Sequence, residues 1–151
     1  MKTAGKVVLS TICILLMTTV LAFAHCEIPC GIYDDELRAR LIAEHITTVE
    51  KSMKQITSLA RKKPLNYNQM VRWVTNKEAH AGEIQHIVTQ YFMTQRIKPG
   101  QKKYTEKLEV LHQILLSAMK AKQTVELDHI QNLNDLLKKF EMLYFGHTLN
   151  P

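Results

Sequence analysis

After Tyr33 the chain has no cysteine at all, and only five glycines and four prolines punctuate its 151 residues. Thiol or disulfide chemistry is therefore confined to the N-terminal segment, and the body has few places to turn. Alternation of apolar and polar residues is missing too, which argues against a sheet. There is no glycine-rich phosphate loop, no H-E-x-x-H pair, no serine or cysteine triad pattern and no interleaved basic and aromatic stripe. The usual signatures of nucleotide, zinc-protease, acyl-transfer and nucleic-acid chemistry are thus absent. Apolar runs are short, with one exception at the start.

That exception lies in residues 1–24, MKTAGKVVLSTICILLMTTVLAFA. Lys2 and Lys6 make a positive start, Val7 to Phe23 is mostly apolar, and Ala22-Phe23-Ala24 is a small-x-small cleavage site, the three parts of a secretory signal peptide. An uncleaved anchor is the alternative, since the run is at the lower limit for spanning a bilayer. Because the run ends at the cleavage site, a cut between Ala24 and His25 is favoured. The mature chain, residues 25–151, is then exported to a periplasm or to the cell exterior with no membrane segment left, and can fill one domain with one core. Losing Lys2 and Lys6 lowers the formal charge from +6 to +4. A mild basic excess in an exported protein suits a small anion and makes nucleic acid an unexpected partner.

Beyond Tyr33 the apolar residues recur at helical spacing. A first helix is expected from Asp34, whose carboxylate can cap it, with Asp35 and Glu36 complementing the dipole. Its stripe reads Leu37, Leu41, Val49, Met53, Ile56 and Leu59, and Arg61-Lys62-Lys63-Pro64 ends it. Asn66 with Gln69 resembles a capping box for a second helix, with Met70, Trp73, Val74, Ile84, Ile87, Val88 and Tyr91 inward. After the turn Lys98-Pro99-Gly100, a third helix carries Tyr104, Leu108, Leu111, Leu115 and Met119. A fourth carries Ile130, Leu133, Leu137, Phe140 and Tyr144. The break between these two, near Lys122 to Thr124, has neither glycine nor proline. Four amphipathic helices on short loops predict an all-α, antiparallel up-down four-helix bundle over residues 34–151.

Bundles of this kind often hold two metals through Glu-x-x-His pairs. Three such pairs are present: Glu83/His86, Glu109/His112 and Glu126/His129. At 100° per residue, only Glu126 and His129 fall near an apolar face, so solvated surface pairs are the better reading. His45, between Leu41 and Val49, reads as a partly buried helix histidine.

The chemistry concentrates in His25-Cys26-Glu27-Ile28-Pro29-Cys30-Gly31-Ile32-Tyr33. An even pair of cysteines in an oxidising compartment allows a Cys26–Cys30 disulfide. Such a small loop at the chain end would do little for a helical domain that already has a core. After cleavage, His25 instead offers an α-amine and an imidazole, with ordinary pKa values of roughly 7.7–8.0 and 6.5. Cys26 adds an amide nitrogen and a thiolate, and Cys30 a second thiolate. Pro29 and Gly31 fit the turn between them. A structural zinc usually takes four side chains, more than the three here; mixed nitrogen and sulfur donors suit nickel or copper.

This stretch resembles the metal hook of nickel-containing superoxide dismutases, H-C-x-x-P-C-G-x-Y, and Gln90-Tyr91-Phe92 is similar to that family's second-tyrosine region. The resemblance implies a four-helix bundle assembled as a homohexamer, with one nickel ion per chain and the superoxide anion as substrate. His25, Cys26 and Cys30 are then the metal ligands of a hook spanning residues 25–33: His25 amine, Cys26 amide nitrogen and both thiolates in a plane, and the His25 imidazole axial in the oxidised state. Tyr33 is implied to order water and control access, assisted by Tyr91. Some members hold the axial histidine through a glutamate and an arginine; Ile42 and His80 stand at those places here, so Glu44, Glu78 or His80 is the expected substitute. A non-catalytic nickel or copper carrier and a disulfide-bearing interaction module are the alternative readings.

Overall fold

Asp34 caps the first helix: its side-chain Oδ1 accepts the Leu37 N–H at 2.9 Å, occupying an amide that the helix leaves without a partner. Asn66 does the same for the second helix, accepting the Gln69 N–H at 3.1 Å. A computed structural model describes residues 31–149, and the chain divides between Tyr33 and Asp34 into two units. From Asp34 on it is helical: α1 is Asp35–Ala60, α2 Tyr67–His86, α3 Tyr104–Gln123 and α4 Asp128–Tyr144. A π-helix, Ile87–Arg96, prolongs α2. No strand occurs among the described residues, and no described helix is long and apolar enough to cross a membrane. The leader, its cleavage site and the ligands His25, Cys26 and Cys30 lie outside the described residues.

α1 packs on α2 and on α4, and α3 packs on the same two. The shared core is built from Ile42, Ile46 and Met53 of α1, Ile84 of α2, Val88 and Phe92 of the π segment, Leu111 and Ile114 of α3, and Leu133 and Phe140 of α4, each at most 1% exposed. The α4 stripe follows the expected spacing closely. Val49, Met53 and Leu59 of α1, Ile84, Ile87, Val88 and Tyr91 after it, and Leu111 of α3 are also buried as expected, but in the first half of α1 and in α3 the buried line is rotated. Leu37 is 47% exposed and Met119 40%, while Ile42, Ile46, Val110 and Ile114, which lie between the expected positions, form the true inner faces.

The break between α3 and α4 has a physical cause that lies elsewhere in the chain. Lys77, on α2, is buried, and its ammonium donates to the carbonyls of Ala121 (2.8 Å), Lys122 and Thr124 (3.3 Å). It also pairs with Glu78 at 3.2 Å. A cation at the carbonyl end of a helix satisfies orphan acceptors and complements the dipole. Val74, three residues before Lys77 on α2 and expected inward, is 39% exposed.

Candidate metal centre

Asp35 is the first residue of α1, five positions after Cys30 in sequence, and it gathers groups from two further elements. Its Oδ1 accepts the Tyr91 hydroxyl at 2.5 Å and Arg96 Nε at 2.8 Å. Its Oδ2 accepts the Tyr144 hydroxyl at 2.7 Å and Arg96 Nη2 at 2.8 Å. The arginine therefore meets the carboxylate with both arms, the strong bidentate form of this pair. Rings seal the inner side: Phe92 lies edge-on to Tyr91 (5.1 Å), Phe140 (4.8 Å) and Tyr144 (5.6 Å). Two cations flank the tyrosines, Arg38 at 5.3 Å over the Tyr91 ring and Lys107 at 5.2 Å over Tyr144.

The π-helix makes this convergence possible. In an α-helix, residues three or four apart share a face; in the i→i+5 ladder, residues five apart do. Tyr91 and Arg96 are five apart, and so both reach Asp35. The same register shows in Thr94 Oγ1 and Gln95 Nε2, which donate to the carbonyls of Thr89 and Gln90 at 2.7 and 3.0 Å.

Burial alone pushes the Asp35 carboxyl up, but hydrogen bonds from Arg96, Tyr91 and Tyr144, with the Arg96 charge, outweigh it and hold the group below the ordinary carboxylate range. The tyrosines move the other way. Burial, then the hydrogen bond to Asp35 and its charge, push Tyr144 up to about 12 and Tyr91 higher still, although Arg96 and a hydrogen bond from the Asp34 backbone partly oppose the shift at Tyr91.

A second polar cluster joins α1 to α2. His45 Nδ1 and His80 Nδ1 are 2.8 Å apart, close enough that one proton must lie between them. Burial first, then the neighbouring His80 charge, lower the His45 pKa, against the pull of Glu83 and Glu44. Ile42, where a supporting glutamate was expected in some members, is fully buried in the core. Glu78 is engaged by Lys77, and Glu44 is exposed.

Of the two tyrosines singled out in the sequence, Tyr33 is 41% exposed and Tyr91 4%. Gly31 has φ +77°, a left-handed backbone that glycine adopts without strain. Asp35, Arg96 and Tyr144 were not recognised as site residues; at α-helical periodicity nothing relates Arg96 to Tyr91. Glu126 and His129 form only a local pair at 3.6 Å. Among the described residues no group of three or more His, Cys, Asp or Glu is placed to hold a metal ion; His25, Cys26 and Cys30 lie outside them.

Residues 20–148, which include these three, match a family model, nickel-containing superoxide dismutase. The chain belongs to this family. It is accordingly an oxidoreductase that acts on superoxide, and nickel is the metal its family implies. No curated protein and no solved structure matches the dismutase in the same comparisons.

Proposed function

We propose that the dismutase binds one nickel ion per chain in the hook, residues 25–33, once a leader of residues 1–24 is removed. His25 would hold the metal through its α-amine and imidazole, Cys26 through its amide nitrogen and thiolate, and Cys30 through its thiolate. The fit rests on donor chemistry: mixed nitrogen and thiolate donors suit nickel, and nine consecutive residues supply them without help from the helices. Bound nickel supplies a one-electron Ni(II)/Ni(III) couple, by which one superoxide is oxidised to dioxygen and another, with two protons, is reduced to hydrogen peroxide.

The chain's own residues do the rest. Tyr33, three positions after Cys30, orders water and limits access, with Tyr91 assisting. A net positive charge favours approach of the anionic substrate. Residues 34–151 form an antiparallel up-down bundle that carries the hook and assembles as a homohexamer. Export places the enzyme in a periplasm or outside the cell.

The observation that carries this reading is the H-C-x-x-P-C-G-x-Y stretch inside the family match. The test is nickel content and N-terminal residue on one sample of purified mature protein, followed by a superoxide assay. One nickel per chain with His25 exposed and rapid dismutation is expected. Cys26 and Cys30 disulfide-bonded as purified, with no nickel taken up even after reduction and metal loading, would replace the hook with an inert loop. One extra residue before His25 should abolish activity, because it moves the α-amine away from the thiolates; full activity in that variant would exclude the amine as a ligand.

A further inference from the structure

We infer that Asp35 is a positioning residue for Tyr91, the tyrosine to which the hook reading gives an assisting role: it holds the hydroxyl protons of Tyr91 and Tyr144 and both arms of Arg96 at the start of α1. This rests on the reading of the hook given above and deepens it.

Three observations converge on Asp35. It is the first residue of α1, so its contacts fix where that helix begins. Its two oxygens take four donors, from Tyr91, Arg96 and Tyr144, at 2.5–2.8 Å. The π register that brings Tyr91 and Arg96 together is rare in proteins and concentrates at functional sites. The Tyr91 proton is committed to a carboxylate that stays ionised. Whatever else Tyr91 meets, it meets through its oxygen, and it is not the source of the protons that peroxide formation consumes. Its oxygen is left to accept, as it does from the Asp34 backbone.

The Asp35 charge keeps Tyr91 and Tyr144 protonated, and Arg96 opposes it. Arg38 lies over Tyr91 and Lys107 over Tyr144. Removing the Asp35 charge therefore frees Tyr91 to ionise at lower pH.

The experiment uses the nickel-loaded enzyme, Asp35→Asn, Tyr91→Phe and the double variant. Tyr91 is isolated by subtracting the Tyr91→Phe ultraviolet tyrosinate titration from that of the wild type, and likewise in the Asp35→Asn background. In the wild type the difference should stay flat through the ordinary tyrosine range near about pH 10. In Asp35→Asn it should rise at least about one pH unit earlier, the scale of one nearby charge. The alkaline limb of kcat/KM should move by the same amount, and Asp35→Asn should add no further pH shift to Tyr91→Phe. Unchanged titration and pH profile in Asp35→Asn would overturn the proposal. If Asp35→Asn does not fold, the wild-type difference titration decides alone, since a Tyr91 that ionises near about pH 10 is not held by Asp35. A wild type without nickel or dismutation refutes the hook reading instead, while the titration still reports the Asp35 clasp.

Discussion

Replacing Lys77 by methionine keeps a long, flexible stem but removes the ammonium that stops α3. The magnitude follows from the three carbonyls it serves. Ala121 is fully buried, so its carbonyl cannot turn to water, and an unsatisfied buried acceptor costs about 1–3 kcal/mol. Lys122 and Thr124 are half-buried, so their carbonyls regain water and the loss there is chiefly that of a cation at a helix C-terminus, about 0.3–1 kcal/mol and up to about 2 when partly buried. The sum is about 2–4 kcal/mol, a large share of the roughly 5–15 kcal/mol that holds a domain together. At about 4 °C per kcal/mol for a chain of this size, the Tm should fall by roughly 8–16 °C. Thermal unfolding followed by far-ultraviolet circular dichroism reads this directly. Hydrogen exchange should also show the amides near Thr124 losing protection before those of Ile114. A Tm within about 2 °C of wild type would mean that the helix end is set locally and that Lys77 is a passenger.

Other outcomes follow from the same structure. Phe92→Ala should cost about 3–5 kcal/mol, because Phe92 is fully buried among three aromatic rings; a urea midpoint near wild type would show that the cluster repacks. The lowered His45 pKa means that the unfolded chain binds this proton more tightly. Its contribution is complete above the unfolded value of about 6.5 and is lost as pH falls below it, so His45→Gln should flatten the stability profile there. The depressed Asp35 pKa contributes stability above the unfolded value of about 3.9, lost as pH falls through the lower folded value; urea midpoints of Asp35→Asn should lack that acid-dependent part.

How far the sequence could be read depended on the kind of information each feature carries. Caps are local, so Asp34 and Asn66 were legible from a residue and its neighbour three positions on. The α4 stripe was legible because its apolar residues are large and evenly spaced. The inner face of α1 was legible in its second half, where Val49, Met53 and Leu59 are buried, but not in its first, since Leu37 competed with Ile42 and Ile46 and only packing on α2 and α4 decides between them. The end of α3 was placed near Lys122 to Thr124 but without a cause, because its stop signal is a lysine some forty-five residues upstream. The proposed hook could be read for the opposite reason: its candidate donors are contiguous in sequence, and no folding is needed to see them together. Asp35 read as a helix-start residue, and its partners Tyr91, Arg96 and Tyr144 are assembled only by tertiary structure and by a helix register that α periodicity does not anticipate.

The π segment also makes spacing itself part of the design. In α-helical geometry, positions five apart diverge by about 140°, so deleting any single residue between Tyr91 and Arg96 while restoring the i→i+4 ladder would put them four apart but shift everything after Arg96 by one step. Leaving the length unchanged but winding the segment as an α-helix would swing Arg96 away from Asp35. The segment therefore works as a ruler: most of its side chains can be exchanged without touching the Asp35 contacts, whereas its residue count cannot. In this enzyme, a change of length in residues 87–96 should be more damaging than nearly any change of letter there.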